Sequence, residues 1–102
     1  VMNDLTSQKF DQEQLEQLAE YFRLLGDPMR LKILHLLRGG EMSVNEIVEK
    51  TESSQPNISK HLSILRTSNV VKRRKEGTCA FFSISAPFIF TLCDTVCHSL
   101  DD

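Results

Sequence analysis

The hydrophobic pattern of this chain changes its period close to residue 70, and this change limits the folds that the chain can adopt. Before it, residues 54–65 carry apolar side chains at helical spacing behind a polar start. After it, 70–71 and 80–84 are short runs rich in β-branched and aromatic residues, as strands are. Between these runs lies the basic segment 72–75, which is followed by Glu76-Gly77, a pair suited to a tight turn. The sequence therefore predicts a helix followed by a β-hairpin with a basic tip.

Four helices are predicted ahead of the hairpin and one after it. The predicted N-caps of the first four are Asp11, Asp27, Ser43 and Ser54. Gly26 and Gly39-Gly40 suit helix ends, and Pro87 suits the start of the last helix. The order α-α-α-α-β-β-α predicts a mostly α winged helix-turn-helix in which the hairpin is the wing. We expect residues 1–10 to form a flexible N-terminus and residues 11–102 to form a single domain.

The charge of the chain is unevenly distributed. The net charge is -2, from 12 basic and 14 acidic residues. Residues 53–93 hold six basic residues and one acidic residue, a local balance of +5, so the rest, with six basic and thirteen acidic, holds -7. A basic patch beside a helix-turn-helix favours double-stranded DNA as the partner. A solvated hairpin without nucleic acid is the alternative.

Three features bear on where the protein works. No apolar run approaches the roughly 18 residues that a membrane span needs, and the first residues do not resemble a signal peptide. The three cysteines are an odd number without the spacing of a disulfide framework. We therefore expect a cytoplasmic protein with no membrane partner.

Polar side chains at the start of the fourth helix are the predicted DNA-reading group. They are Ser54, Gln55, Asn57, Ser59 and Lys60. Gln55 and Asn57 match the donor and acceptor pattern of an adenine edge, although caps of a polar helix start are the alternative. His61 lies beside the apolar face and suits either a phosphate contact or a structural hydrogen bond. The predicted wing contacts, which would add affinity and salt dependence, are Arg73, Arg74 and Lys75.

Two segments resemble one known family. Residues 24–34, LLGDPMRLKIL, are similar to the LGDPTRLRIL opening of ArsR/SmtB-type transcriptional repressors. Residues 54–62, SQPNISKHL, are similar to the SQPTVSKHL recognition helix of that family. The order of elements also matches over residues 11–100. The resemblance implies a sequence-specific repressor, a homodimer that sits on operator DNA and leaves it when an effector binds.

The predicted last helix has more apolar surface than one small domain can cover. Its stripe consists of Ile89, Leu92, Cys93, Val96, Cys97 and Leu100. Pairing with the same helix of a second copy would bury this stripe, and the resemblance places the dimer interface here. We assign Leu15, Leu18 and Phe22 of the first helix to the same interface.

Cys93 and Cys97 lie four residues apart, so they share one face of the last helix at about 5–6 Å between Cβ atoms. With Cys79 as a third sulfur, they form a candidate site for a thiophilic ion such as arsenite, antimonite, cadmium or zinc. The same thiols could instead sense oxidants or reactive sulfur. As a further alternative, they serve only as small apolar residues.

Two effector sites that the family resemblance suggests are missing from this chain. Residues 41–46 contain no cysteine, so the CxC thiolate pair carried by some members on the third helix is absent. Other members bind zinc or nickel at the last helix through an Asp/His pair and two later histidines. Here the corresponding stretch offers Ser85, Ala86 and Phe88, with only His98 near the end. An effector site in this chain would therefore use the cysteines.

Other functions fit the sequence less well. A winged helix that binds only protein would not need a basic wing. Catalysis has no clear site, because the chain has no Gly-rich phosphate loop or Ser-His-Asp set, and Cys93 and Cys97 are spaced CxxxC rather than CxxC. We expect neither an enzyme nor a small-molecule substrate.

Overall fold

The computed structural model describes residues 10–101. Its helices are α1 (Gln12–Leu25), α2 (Pro28–Leu37), α3 (Val44–Thr51), α4 (Gln55–Thr67) and α5 (Phe88–Asp101). Its strands are β1 (Met42–Ser43), β2 (Val71–Glu76) and β3 (Cys79–Ile84). The predicted winged helix-turn-helix is confirmed, with α3 and α4 as the helix-turn-helix and β2-β3 as the wing. The predicted flexible N-terminus falls almost wholly on residues outside the described ones.

The helix starts follow the capping chemistry of the sequence, and all four predicted N-caps are confirmed. At α1, an Asp11 carboxylate oxygen accepts from the Gln14 amide at 2.8 Å, and Gln14 Oε1 accepts from the Asp11 amide at 3.1 Å. Ser43 and Glu46 exchange the same pair of bonds at α3, at 3.1 and 2.8 Å. These reciprocal bonds satisfy amides that a helix start otherwise leaves free.

The wing belongs to a three-stranded antiparallel sheet with the strand order β1-β3-β2. Only the hairpin was predicted; β1 is a two-residue strand in which Met42 pairs with Phe82 and Ser43 with Phe81. The hairpin turn is Gly77-Thr78, one residue later than the predicted Glu76-Gly77. Gly77 has a φ of 62°, and a two-residue hairpin turn requires such a value at its first position, where glycine adopts it without strain.

The core is formed by one face of each helix from α2 to α5 together with the sheet, and Leu24 at the end of α1 packs into it. Its fully buried side chains are Ile33, Leu34, Leu37, Ile47, Ile58, Leu62, Leu65, Val70 and Ile89. The apolar stripe predicted for α4 is therefore buried, which fixes the rotation of α4 and turns its polar side to solvent. None of the helices within residues 10–101 has the length and apolar character that crossing a membrane requires.

Candidate nucleic-acid interface

The first turn of α4 presents polar side chains to solvent. Ser54 caps the helix, and its Oγ accepts from the Asn57 amide at 3.3 Å. Gln55 is exposed and donates to Ser59 Oγ at 2.8 Å, while Lys60 is exposed without such a bond. Because the opposite side of α4 is held in the core, Gln55 and Lys60 are fixed on the outer surface.

Two of the predicted DNA contacts have hydrogen-bond partners within the chain. Asn57 is half-buried, and its side-chain amide donates to Ser53 Oγ at 2.9 Å, which closes the turn before α4. His61 is only 8% exposed, and its Nδ1 lies 3.4 Å from Arg30 Nη1. Of the two roles considered for His61, the geometry supports the structural hydrogen bond, because the ring does not reach the outer surface.

The basic run of β2 is divided between two faces of the sheet. Neighbouring side chains along a strand point to opposite faces. Arg73 pairs with the buried Phe82, whereas Arg74 pairs with the half-buried Phe81. Arg73 therefore lies on the face of the sheet that is turned toward the core and α4, and Lys75, two residues later, shares that face.

A groove between α4 and the wing brings three of the predicted groups together, Gln55, Ser59 and Arg73. Its polar lining consists of Gln55, Ser59, Ser63 and Arg66 on α4 and Arg73 on β2. Apolar side chains, among them Val44 and Phe82, line it as well. Arg66 was not predicted as a contact, although it follows Gln55 and Ser59 at helical spacing and could have been found that way. Two arginines from different elements thus border one groove.

Cys79 lies beside the start of α4 rather than with the cysteines of α5. It is exposed at the first position of β3 and lines a second groove together with Gln55, Asn45 and Thr78. Among residues 10–101, no three His, Cys, Asp or Glu side chains come together as a metal site. The three-sulfur site predicted from Cys79 and the two α5 cysteines is therefore not assembled within one chain.

The two cysteines of α5 differ in their environment. Cys93 is half-buried and Cys97 is exposed, and neither forms a disulfide. Burial raises the pKa of the Cys93 thiol, and Cys97 and Asp94 act in the same direction, while Arg38 opposes them. Cys93 therefore stays protonated at neutral pH, and Cys97 is the more accessible thiol.

An ion pair joins α5 to the end of α2 beside these cysteines. Arg38 donates to both carboxylate oxygens of Asp94, at 2.9 and 2.7 Å, and its guanidinium lies 4.5 Å from the centre of the Phe90 ring. Hydrogen bonds from Arg38 hold the pKa of the Asp94 carboxyl below its usual range. Sequence reasoning did not find this pair, since no local pattern connects residues 56 positions apart.

Helices α1 and α5 carry an exposed apolar surface. Its side chains are Leu15, Leu18, Phe22, Phe88, Leu92, Val96 and Leu100. The two helices meet through Tyr21 and Phe88, whose ring centres lie 5.4 Å apart in an edge-to-face contact. The assignment of Ile89 to a dimer interface needs correction, because Ile89 is 1% exposed and belongs to the core of its own chain. Phe88, which the sequence analysis left out, is exposed in its place.

The comparisons with known proteins identify the family. Residues 27–73 match the family described as bacterial regulatory proteins of the arsR family. Over 73 residues the chain is 48% identical to an HTH-type transcriptional regulator of Methanocaldococcus jannaschii, covering 71% of this chain and 82% of the relative. The chain belongs to the arsR family. The resemblance stated from the sequence is thereby confirmed, and the family consists of regulators rather than enzymes.

Two further proteins extend the comparison for this arsR-family chain. It is 39% identical over 64 residues to the transcriptional repressor SdpR of Bacillus subtilis, covering 63% of this chain and 71% of the relative. A homodimeric winged helix-turn-helix DNA-binding domain from Mycobacterium bovis, solved by NMR, has a TM-score of 0.78 at 29% identity. That likeness covers 92% of this chain and 89% of the other.

Proposed function

We propose that this arsR-family chain is a sequence-specific DNA-binding transcriptional repressor that acts as a homodimer and is released from its operator by an effector. One observation carries the DNA-binding part of this proposal: the outer polar side of α4 and Arg73 of the wing line one groove. A helix that enters the major groove needs base-reading side chains along its outer face and cationic groups beside the phosphates. The groove supplies both from two elements that the core holds in fixed positions.

The side chains of the proposed interface suit two kinds of DNA contact, with base edges and with phosphates. Gln55 is the side chain best placed to read a base edge, because it is exposed at the first turn of α4. Lys60, Arg66, Arg73 and Lys75 suit phosphates, which fix orientation and supply salt-dependent affinity. The local charge of +5 in residues 53–93 favours this partner despite the net charge of -2.

The exposed apolar surface of α1 and α5 supports the homodimer. Side chains such as Phe22 and Val96, 54% and 53% exposed, are unfavourable in water unless a second copy covers them. The Mycobacterium bovis neighbour is described as homodimeric. In such a dimer on DNA, the two α4 helices would lie about 34 Å apart, one turn of the double helix.

The repressor assignment is supported by the Bacillus subtilis relative, which is itself named a repressor. For the effector, we propose a thiophilic metal or metalloid ion bound by Cys93 and Cys97, which share one face of α5. One chain supplies only these two sulfurs at this place, so a complete site draws further ligands from the second copy. Binding at Cys93 would release a proton, since burial keeps its thiol protonated.

A binding titration tests the DNA part of the proposal. The protein is titrated onto a labelled fragment that spans the promoter of its own gene, at several salt concentrations. We expect Gln55→Ala to weaken discrimination against unrelated DNA by about 1–3 kcal/mol and Arg73→Gln to weaken binding to all sequences. Arg23→Gln, which removes the same charge from an exposed site on α1, serves as the control. Equal loss in all three variants would reject the assigned interface.

The effector is tested by adding zinc, cadmium, arsenite, an oxidant or a persulfide donor separately to the protein–DNA complex. We expect a metal or arsenite to release the DNA, and Cys93→Ser or Cys97→Ser to abolish this release while Cys79→Ser retains it. Release of the DNA by the oxidant or persulfide donor alone would reject the metal effector in favour of thiol redox sensing. No release by any agent would reject the thiol effector and leave DNA binding standing.

A further inference from the structure

Arg74 is held by groups of its own chain on the far side of the wing. Its Nη2 and Nε donate to the two carboxylate oxygens of Glu41 at 2.8 and 3.0 Å, and its Nη1 donates to the Glu76 carboxylate. Its guanidinium also lies 4.8 Å from the centre of the Phe81 ring. Arg74 and Glu41 are 49% and 36% exposed, so it is the bidentate pairing and the ring contact, rather than burial, that orient this guanidinium.

The position of Glu41 gives this contact a structural consequence. Glu41 directly precedes β1, in the segment that connects α2 to the sheet. It lies 33 positions from Arg74 along the chain. The Arg74–Glu41 pair therefore fastens the outer strand of the wing to a segment that leads into α3, the first helix of the helix-turn-helix.

The charges around Arg74 do not favour a phosphate as its partner. The groups around this guanidinium are two carboxylates and the Lys72 ammonium, which also acts on Glu41, so the charge that surrounds Arg74 is net negative. The hydrogen bonds from Arg74 hold the pKa of the Glu41 carboxyl below its usual range, so Glu41 stays ionised at neutral pH. Arg73, one residue earlier on the opposite face, has no such carboxylate partner in the described residues and borders the groove beside α4.

We propose that Arg74 is a positioning residue rather than a DNA contact: by fastening the wing to Glu41, it sets where Arg73 and Lys75 lie relative to α4. This inference rests on the proposed DNA binding, and it separates two arginines that the sequence analysis placed in one group. We therefore expect removal of Arg73 and removal of Arg74 to weaken DNA binding in different ways.

Salt dependence of DNA binding distinguishes a positioning residue from one that neutralises a phosphate. The slope of log affinity against log salt becomes shallower by about 0.9 for each phosphate that the protein no longer neutralises. We expect Arg73→Gln to reduce the slope by this amount for each subunit. We expect Arg74→Gln to weaken binding about fivefold, through a less ordered wing, without changing the slope. A slope reduced in Arg74→Gln as much as in Arg73→Gln would overturn the proposal.

Amide hydrogen exchange tests the same inference without DNA. We expect Arg74→Gln and Glu41→Gln each to speed exchange of the β2 and β3 amides near the hairpin turn, because both break the same pair. Arg73→Gln, which changes the same charge on the opposite face, should leave this exchange unchanged. Unaltered exchange in Arg74→Gln would overturn the proposal. If the wild-type protein binds no DNA, the proposed function fails, but this measurement still decides whether Arg74 positions the wing.

Discussion

Arg30 connects the end of α1, the start of α2 and the middle of α4 through one side chain. Its Nε donates to the Leu24 carbonyl at 2.8 Å and its Nη2 to the Arg23 carbonyl at 3.3 Å, both at the end of α1. Its Nη1 lies 3.4 Å from His61 Nδ1 on α4 and 3.9 Å from the Asp27 carboxylate that caps α2. The last carbonyls of a helix have no hydrogen-bond donors within that helix. Arg30 donates to two of these carbonyls in α1 and at the same time contacts α4.

Replacing Arg30 with methionine should therefore destabilise the fold. We expect Arg30→Met to lower the free energy of unfolding by roughly 2–3 kcal/mol, because half-buried acceptors lose charged donors. Urea denaturation at fixed protein concentration measures this change. The control is Arg23→Met, at an exposed surface pair, which should change stability by no more than about 0.5 kcal/mol. Equal effects of the two substitutions would mean that Arg30 does not hold the helix ends together.

At the scale of elements, the sequence predicted what local chemistry determines. The caps at Asp11 and Ser43 follow from side chains within one helical turn, so reading them needed no tertiary structure. Strand β1 was not predicted because a strand of two residues shows no periodicity. Its pairing with β3 depends on residues about 40 positions away in the chain. The burial of Ile89 was not predicted for a related reason. A helical stripe shows which side chains share a face, but it does not show what covers each part of that face.

For the candidate site too, the sequence predicted the features that local patterns determine and missed those that depend on distant residues. The pattern of α4 placed Gln55 and Lys60 on the outer face correctly, because burial of the other face fixes the helix. The basic run of the wing was treated as one group, whereas strand alternation and the distant Glu41 separate Arg74 from Arg73. Cys79 was grouped with the other sulfurs by residue type, and only the fold places it beside Gln55.

The position of Cys79 allows the interface to be mapped by alkylation. We expect DNA to slow the reaction of Cys79 with iodoacetamide several-fold, because Cys79 shares a groove with Gln55 at the proposed interface. Cys97 is the internal control: it lies on α5, away from the grooves beside α4, so at a protein concentration that keeps the chain dimeric its rate should be the same with and without DNA. Mass spectrometry of peptides from each sample gives both rates. Protection of neither thiol would show that DNA does not cover the wing turn.

At the scale of the whole molecule, the described chain is extended for its size. Its radius of gyration is 15.9 Å, and its principal extents are 52, 34 and 20 Å. A compact domain of 100 residues has a radius of gyration of about 13 Å. The difference is consistent with helices α1 and α5 that a single copy leaves partly uncovered.

A charge introduced on α5 should separate the proposed dimer. We expect Val96→Glu to shift the protein to monomer, with a dissociation constant about a hundredfold higher, because the interface would bury an unpaired carboxylate. Analytical ultracentrifugation measures the shift, and weakened operator binding should accompany it. Thr95→Glu adds the same charge at the neighbouring exposed position of α5 and controls for helix stability. A dimer that persists in Val96→Glu would place the interface elsewhere.

The alternation of side chains along β2 also restricts how the wing can change in evolution. A single residue inserted directly between Arg74 and Lys75 would move Lys75 to the opposite face, unless a bulge absorbed it. Residues inserted in pairs in both strands would leave every earlier side chain on its face and only carry Gly77-Thr78 farther outward. Wings in homologous chains should therefore lengthen in even steps, and a homologue with an odd insertion should show a bulge at that point.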